Sequence, residues 1–304
     1  MSIEILVATS KRINFELPSI YKPVQINCKN AREIIPEYYH DNTGENISIK
    51  NPYYCELTAL YWGWKNSKAD IIGLCHYRRY FSKFENPWFD SFFRTTDRHL
   101  VDDSITAQQI DQYLKKYDVI VGMPHLPFPD TAYEDLKKSC YEKDIKALIY
   151  VMKEYYTNDY ETLIHVLNKQ NLFYFNMLIC KKETMDDYCR WLFGILEKVE
   201  KICDLTGYNR QRKRLYGYLA EVLLNVYVTE RHLRTKNVEL LLINSQLERK
   251  GKIASSNIKV NIMRILSRRP LRKIAKIYYK YKKKTTYDSY LRCIATMNSP
   301  QQES

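Results

Sequence analysis

The stretch that decides the fold reads ADIIGLCHYRRYF and spans residues 69–81. Its first half is a short apolar run, from Ile71 to Cys75, of the length typical of a buried strand. The run ends abruptly at His76, Arg78 and Arg79. In an open α/β sheet, ligands bind beyond the carboxyl ends of the strands. The stretch therefore predicts a core strand that leads directly into a ligand site.

The start of the chain has a second strand of this kind. In IEILVATSK, residues 3–11, apolar side chains run into the small polar Thr9 and Ser10, a pattern that commonly leads into a ligand crevice. Further on, Asn51 is predicted to cap a helix and Pro52 to take its first position. An apolar stripe at helical spacing follows as far as Trp64. Strand, helix and strand in this order form a βαβ unit and predict an α/β fold.

The later segments also mix strands and helices. The predicted strands are YDVIVGMP (117–124) and NLFYFNMLICKK (171–182). Helical spacing is predicted over 130–168, in DDYCRWLFGILEKVEKI (186–202) and in YGYLAEVLLNVYV (216–228). The D-x-E pair of Asp159 and Glu161 falls in a helical region and is interpreted as surface charge. A linker is expected near residues 249–258.

Composition excludes several classes of protein. Of 304 residues, 45% are hydrophobic and only 8 are Gly and 10 Pro, which excludes a disordered or fibrous chain. The N-terminus lacks the pattern of a secretion signal, and no apolar run approaches the ~18 residues needed to span a bilayer. The eight cysteines are scattered without a C-x-x-C pair, so we expect reduced, mostly buried thiols in a cytoplasmic protein.

The positive charge is concentrated in one segment near the C-terminus. The net charge is +13, and residues 261–284 hold ten Lys or Arg and no acid, so the rest of the chain carries only +3. Aliphatic and aromatic residues alternate with these cations at helical spacing, which favours a helix on an anionic membrane surface, broken or kinked at Pro270. The alternatives are a solvated tail and a tail that binds RNA.

Familiar catalytic motifs are absent from the sequence. The glycines form no G-x-G-x-x-G, P-loop or G-x-S-x-G motif, the six histidines show no metal-ligand spacing, and no D-x-D follows a strand. No metal site is therefore predicted. What remains is His76, Arg78 and Arg79, and guanidinium groups with an imidazole suit a diphosphate. The alternative is that the arginines pair with internal carboxylates.

Glu221 is the second candidate for chemistry. It is the only charged residue between Tyr216 and Val228, in an otherwise apolar helix. A carboxylate in such surroundings must find a partner or shift its pKa upward, and a raised pKa suits a general base. The alternative is a buried structural pair with one of the many arginines.

Seven segments together carry a resemblance to a known family: YKPVQIN, DNTGENISIKN, YCELTALYWGWKN, IGLCHYRRYF, FNMLICKKE, YCRWLFGIL and YGYLAEVLLNVYV. Over residues 3–227 the chain resembles the capsular and exopolysaccharide glycosyltransferases long catalogued as a domain of unknown function. The resemblance implies a GT-A-like nucleotide-sugar fold and transfer of a sugar from a nucleotide donor, with galactofuranose from UDP-galactofuranose as the associated activity. The basic tail lies outside it.

The resemblance also implies donor-binding roles. Thr9 and Lys11 would line a uridine pocket, and Lys50 and Asn51 would face the nucleotide. His76, Arg78 and Arg79 would stand where a D-x-D usually holds a metal. Arginines would then neutralise the diphosphate leaving group, with a loosely held Mg²⁺ or Mn²⁺ left open.

On the acceptor side, Glu221 resembles the late carboxylate that deprotonates the acceptor hydroxyl in inverting enzymes. Asn176 and Met177 match an NM pair of the family near the acceptor. Two positions depart from the pattern. Val222 stands where the family leads us to expect Arg, and no His lies near Cys140.

Residues 1–250 are thus predicted to form one GT-A-like α/β glycosyltransferase domain, and 251–304 a linker and a basic helical tail. The expected partners are a UDP-sugar, a lipid-diphosphate-linked glycan of bacterial polysaccharide assembly and, through 261–284, anionic lipid at the inner face of the plasma membrane; no nucleic acid is expected. Two rival hypotheses remain. One is a nucleic-acid-binding protein that uses the tail and the tyrosines, and the other is a scaffold of the polysaccharide machinery without activity.

Overall fold

The computed structural model describes residues 1–84, 103–124 and 130–243, together with the backbone of 93–96. Its helices and strands belong to one compact unit, Met1–Asn244. The basic segment 261–284 and the linker before it lie outside the described residues. The division of the chain at residue 250 and the membrane-binding tail therefore stay predictions.

The described residues form a ten-stranded mixed sheet. Its strands are β1 (Ile3–Thr9), β2 (Tyr21–Gln25), β3 (Tyr39–His40), β4 (Ile71–His76), β5 (Arg79–Phe81), β6 (Phe93–Thr96), β7 (Val119–Gly122), β8 (Leu178–Lys181), β9 (Thr235–Val238) and β10 (Leu240–Ile243). Strands β3, β2, β1 and β4 lie side by side and run parallel. Next to β4, β8 runs antiparallel and is followed by β7 and β9, while β5, β10 and β6 form a branch from the end of β4.

The register brings three strand ends to one edge of the sheet. Ala8 of β1 lies opposite His76 of β4, and Thr9 of β1 lies opposite Gln25 of β2. The predicted βαβ relation is confirmed, because β1 and β4 are parallel neighbours. The apolar run from Ile71 to Cys75 lies in the buried strand β4, and the carboxyl end of this strand lies at this edge.

The helices of the described residues pack on the sheet and against one another. They are α1 (Asn51–Tyr54), α2 (Leu57–Asn66), α3 (Ala107–Leu114), α4 (Ala132–Ser139), α5 (Glu142–Tyr155), α6 (Thr157–Leu167), α7 (Lys182–Glu200) and α8 (Leu215–Glu230). Helices α2 and α7 pack on β4, and α8 packs against α1, α4, α6 and α7. The helices predicted over 186–202 and 216–228 and the strand predicted over 117–124 are confirmed as α7, α8 and β7.

The approach of α2 to the sheet depends on a glycine. A Cβ atom at Gly63 would lie 2.1 Å from Cδ1 of Leu6, in the middle of β1. The missing side chain lets α2 lie directly on β1. This contact fixes the helix whose first residues reach the edge where β1 and β4 end.

The single helix predicted from Asn51 onward is wrong, because the helix is broken at Cys55. Cys55 has φ 52° and ψ −126°, which no helix accommodates, and α2 begins only at Leu57. Asn51 is the first residue of α1 rather than its cap, which is Lys50. The Asn51 side chain donates hydrogen bonds to the Cys55 carbonyl oxygen (2.8 Å) and to Thr58 Oγ1 (2.9 Å), so it stabilises the break.

The strand predicted over 171–182 is shorter in the structure, where only Leu178–Lys181 pairs as β8. Before it, Phe175 and Asn176 have positive φ angles of 73° and 53°. Left-handed conformations cost a residue with a side chain roughly 1–2 kcal/mol each. Two in succession indicate a turn that tertiary contacts must hold.

The interpretation of the D-x-E pair as surface charge is wrong for one of its two residues. Glu161 is exposed, but Asp159 is buried. The Asp159 carboxylate accepts hydrogen bonds from Trp191 Nε1 at 2.9 Å and from Arg231 Nη1 at 2.6 Å. These contacts give Asp159 a packing role between helices α6, α7 and α8.

Two general expectations can be compared with the described residues. Seven cysteines lie among them, all are free, and five are buried, as predicted. Within the same residues, no helix combines the length and the apolar composition that crossing a membrane requires.

Candidate functional site

The candidate site lies where β4 ends. The ring of His76, the last residue of β4, is half-buried, and its Nε2 lies 2.6 Å from the carbonyl oxygen of Phe175. Because a carbonyl oxygen only accepts, Nε2 carries the proton and donates. Burial lowers the pKa of His76, which favours the neutral ring with Nδ1 free of a proton. One nitrogen of this imidazole is therefore committed to the protein's own backbone.

The two arginines that follow β4 have different surroundings. Arg78 is exposed, with its guanidinium 4.9 Å from the ring centre of Tyr77. Arg79 begins β5, lies opposite His76, and places its guanidinium 4.0 Å from the ring centre of Phe175. Its Nε is buried and has no hydrogen-bond partner among the described atoms. Arg79 thus holds an unused donor inside the site.

Among the described residues, neither arginine is paired with a carboxylate. Of the ion pairs between described residues, none includes Arg78 or Arg79. Burial lowers the pKa of Arg79, while the charges of Glu221 and Glu56 oppose that shift from a longer distance. Within the described ranges, Arg78 and Arg79 therefore do not form the structural ion pair that the alternative hypothesis expected.

Glu221, in the second turn of α8, reaches the same place. Its Oε1 accepts a hydrogen bond from the Phe175 N–H at 3.1 Å. Burial, together with the nearby charge of Glu56, raises the pKa of Glu221 to about 8. The Phe175 N–H and the charges of Arg79 and Arg214 act in the opposite direction but do not cancel the shift. The sequence-based expectation of a raised pKa agrees with this environment.

Phe175 connects the two candidate groups, His76 and Glu221. Phe175 donates its N–H to Glu221 and accepts the Nε2–H of His76 with its carbonyl oxygen. In the left-handed backbone at Phe175 and Asn176, the Phe175 N–H faces Glu221 and the Phe175 carbonyl oxygen faces His76. The strand-end imidazole and the helix carboxylate are thus held on either side of a single residue.

Asn176 holds this turn in place from inside the protein. It is fully buried, and its Nδ2 donates to Glu56 Oε1 at 2.7 Å and to the Gly217 carbonyl oxygen at 3.0 Å. It connects the turn to the broken helix on one side and to α8 on the other. Met177 is fully buried in the core. The structure therefore gives neither residue a surface on which an acceptor could lie.

Arg214 approaches the site from the end of the preceding loop. It is exposed, and its Nε donates to Sγ of Cys55 at 3.2 Å. Its charge lowers the pKa values of Glu221 and His76. With Arg79, it balances the two carboxylates Glu56 and Glu221.

A cavity of about 460 Å³ opens where β1 and β2 end. Its lining residues are Ser10, Lys11, Arg12, Gln25, Ile26, Asn27, Ala31, Arg32, Glu33 and Ile35. Lys11, which the resemblance assigns to a uridine pocket, is among the lining residues, whereas Thr9 is fully buried. The Thr9 hydroxyl donates to the Lys11 carbonyl oxygen (2.7 Å) and accepts the Lys11 N–H (3.1 Å), so it shapes the turn instead.

Lys50 and Asn51 are engaged elsewhere in the structure. The Lys50 ammonium lies 2.6 Å from Glu200 Oε2 and 5.6 Å from the ring centre of Tyr54. The side chain of Asn51 stabilises the helix break at Cys55. The structure does not bring either residue to the group formed by His76, Arg79 and Glu221.

Three residues important to the site escaped the sequence analysis. Glu56 and Arg214 surround Glu221, and Asp41 is buried at the base of the pocket loops. The Asp41 carboxylate accepts four hydrogen bonds. The donors are the N–H groups of Asn27 (2.9 Å) and Cys28 (3.1 Å) and the hydroxyl groups of Ser48 (2.6 Å) and Thr58 (2.7 Å). Glu56 had a signal, because it is the only charged residue between positions 50 and 65.

The donor set at the end of β4 does not suit a divalent metal. Hard cations prefer carboxylate and carbonyl oxygens, whereas this strand end presents His76, Arg78 and Arg79. The two nearby carboxylates already accept hydrogen bonds from Asn176 and Phe175. Over the described ranges, no group of three His, Cys, Asp or Glu side chains is placed to hold a metal ion.

Comparison with known proteins agrees with this architecture. The apo structure of WbbM, a bifunctional glycosyltransferase, is similar to this chain with a TM-score of 0.71 and 27% identity, which confirms the predicted GT-A-like α/β fold. The match covers 81% of this chain and 46% of that one, so the chain spans less than half of that protein. No curated protein matches. The family described as "Domain of unknown function (DUF4422)" matches residues 4–232, and the chain belongs to that family.

Proposed function

We propose that this protein is a glycosyltransferase that moves a sugar from a UDP-sugar to a hydroxyl of a glycan. The observation that carries the proposal is the environment of Glu221, a carboxylate of raised pKa held by Phe175. The charges of Arg79 and Arg214 act on it, and neither arginine forms an ion pair with another described residue. This group lies at the carboxyl end of β4, next to a cavity at the ends of β1 and β2. The similarity to a glycosyltransferase structure supports the same reading.

In this proposal the nucleotide occupies the cavity that Lys11 lines and the diphosphate extends toward β4. Arg78 and Arg79 are suited to it, because guanidinium groups form paired, charge-assisted hydrogen bonds with phosphate oxygens. The buried Nε of Arg79, which has no partner among the described atoms, is one donor available for this purpose. Stacking on Phe175 orients that guanidinium before the ligand arrives.

The chemical step assigns one role to each group. The carboxylate form of Glu221 takes the proton from the acceptor hydroxyl as its oxygen attacks the anomeric carbon. The bond from that carbon to the diphosphate breaks, and UDP leaves with the bonding electrons. Arg78 and Arg79 stabilise the negative charge that develops on the leaving group. The attack from the face opposite the leaving group inverts the anomeric centre.

The finer assignments follow from the family resemblance. They are galactofuranose as the sugar, a lipid-diphosphate-linked glycan of bacterial surface polysaccharide as the acceptor, and the inner face of the plasma membrane as the location. The basic segment 261–284 would hold the enzyme near that acceptor by binding anionic lipid. Lipid-vesicle binding of the full chain against a chain ending near Ser256 checks the last assignment.

A thermal-shift panel of UDP and UDP-sugars, including UDP-galactofuranose, tests the proposal with and without EDTA. A ligand that binds only the folded state raises the melting temperature. We expect UDP to stabilise the protein equally with and without EDTA, and the donor to stabilise it most. A shift that disappears in EDTA would contradict the role of the arginines. No shift with any nucleotide would favour the scaffold without activity.

A further inference from the structure

A cationic segment precedes α8, and only its last residue, Arg214, belongs to the surroundings of Glu221. The sequence NRQRKR, residues 209–214, holds four cations in six residues, and no acid occurs from 205 to 220. In the described part of the chain, no ion pair includes Arg210, Arg212, Lys213 or Arg214. Four positive charges therefore lie together without a carboxylate partner, and they create a local positive potential that attracts anions.

Arg212 is held on an aromatic platform. Its guanidinium lies 3.9 Å from the ring centre of Tyr141, a residue that is 41% exposed. Tyr141 packs edge-to-face on Tyr208, with ring centres 4.8 Å apart, and the Tyr208 hydroxyl donates to the buried Asp144 at 2.8 Å. Stacking uses the face of a guanidinium and leaves the N–H donors at its edge available. The Arg212 side chain is thus oriented but free to bind a phosphate.

This platform belongs to the surroundings of Glu221. Tyr141 follows Cys140 at the end of α4, and α4 packs on α8. Burial raises the pKa of the Cys140 thiol, and the charges of both Glu221 and Arg212 act on it. Arg214, at the other end of the basic segment, contacts Cys55. The segment therefore reaches the neighbourhood of the candidate base on two sides.

The start of α8 adds to the positive potential. The N-cap residue of this 16-residue helix is Arg214, whose side chain makes no capping hydrogen bond. Helix N-termini attract anions. The cations, the stacked guanidinium and the helix end together form a surface suited to a group with two adjacent negative charges.

We infer that Arg210, Arg212 and Lys213, with Tyr141 as platform, bind a diphosphate carried by the acceptor, at a site separate from that of the donor diphosphate. The inference rests on the proposed function for the identity of the acceptor but not for the anion site itself. Arg78 and Arg79 serve the donor at the ends of β4 and β5, whereas the basic segment lies between α7 and α8. The donor diphosphate and the acceptor diphosphate then bind to different structural elements, and Glu221 acts on the acceptor hydroxyl.

Calorimetric titration of the full-length protein with inorganic pyrophosphate, in saturating UDP, tests the site. We expect one pyrophosphate to bind, and Arg212→Ala to raise its Kd about tenfold by removing a charge-assisted contact. The affinity for UDP should not change. Arg190→Ala, on the exposed side of α7, is the matched control and should leave both affinities unchanged. Tyr141→Phe, which keeps the platform, should bind like the wild type, whereas Tyr141→Ala should weaken pyrophosphate binding.

A second titration distinguishes the sources of the diphosphate. Farnesyl diphosphate should bind more tightly than pyrophosphate, and Arg212→Ala should weaken both. Equal affinity for the two would indicate a free anion and overturn the acceptor assignment. Absence of pyrophosphate binding in saturating UDP, or an Arg212→Ala variant that loses UDP and pyrophosphate alike, would overturn the separate site.

The two proposals fail in different ways. If neither UDP nor any UDP-sugar binds the wild type but pyrophosphate binding still depends on Arg212, the proposed function is wrong and the anion site stands. If UDP binds and Arg212→Ala changes nothing, the donor site stands and the anion site is wrong.

Discussion

Glu221→Gln should change how the stability of this protein depends on pH. The glutamine oxygen can still accept the Phe175 N–H, so the variant keeps the contact that Glu221 makes at 3.1 Å. It cannot ionise. Comparison of the two proteins therefore isolates the cost of ionising a carboxyl group at this partly buried position, and the measurement requires no substrate.

The size of the effect follows from the two pKa values. In the folded protein the pKa of Glu221 is raised to about 8, from an ordinary 4.5. Between these values the unfolded chain has released the proton and the folded chain has kept it. The free energy of unfolding of the wild type then falls as pH rises, by up to about 1.4 kcal/mol per pH unit. Between pH 5.5 and 7.5 the variant should gain about 2–3 kcal/mol relative to the wild type.

Urea unfolding at pH 5.5, 6.5 and 7.5, with linear extrapolation to water, measures this difference. Glu161→Gln is the matched control, since Glu161 is exposed on α6 and its curve should run parallel to that of the wild type. If the Glu221→Gln curve also runs parallel, within about 0.5 kcal/mol, Glu221 ionises at an ordinary pH. A general base of raised pKa at this position would then be refuted.

Three further changes test the candidate site and the loops beside it. Glu56→Gln removes a charge that raises the pKa of Glu221. The pH above which the stability difference made by Glu221→Gln stays constant should therefore fall by about one unit. The same urea series measures this shift, with Glu56→Gln compared against the double variant Glu56→Gln/Glu221→Gln. Asp41→Asn should cost about 2–4 kcal/mol of unfolding free energy, because the buried carboxylate accepts four hydrogen bonds; a loss below about 1 kcal/mol would contradict its structural role. Arg79→Ala should weaken UDP binding about tenfold in calorimetry, and Arg79→Lys should not restore it, since lysine lacks the planar group that stacks on Phe175; full recovery by lysine would show that only charge matters.

Residue order alone was enough for the parts of this protein that depend on local patterns. The apolar run from Ile71 to Cys75 identified β4, and the polar residues after it marked the edge of the sheet where the candidate site lies. A lone acid in the apolar stretch 216–228 marked Glu221 as perturbed. These predictions succeed because burial leaves a periodic or contiguous trace in neighbouring residues.

The tertiary structure decided which polar groups meet. Asn176 and Glu56 are 120 positions apart in the chain, yet their hydrogen bond holds the turn that joins His76 to Glu221. The break at Cys55 and the left-handed Phe175 have no trace in local propensity, because each is a locally unfavourable conformation stabilised by distant partners. Local sequence indicates the burial of apolar runs, whereas the burial of a polar residue such as Asp159, and the identity of its partner, depend on how the whole chain packs.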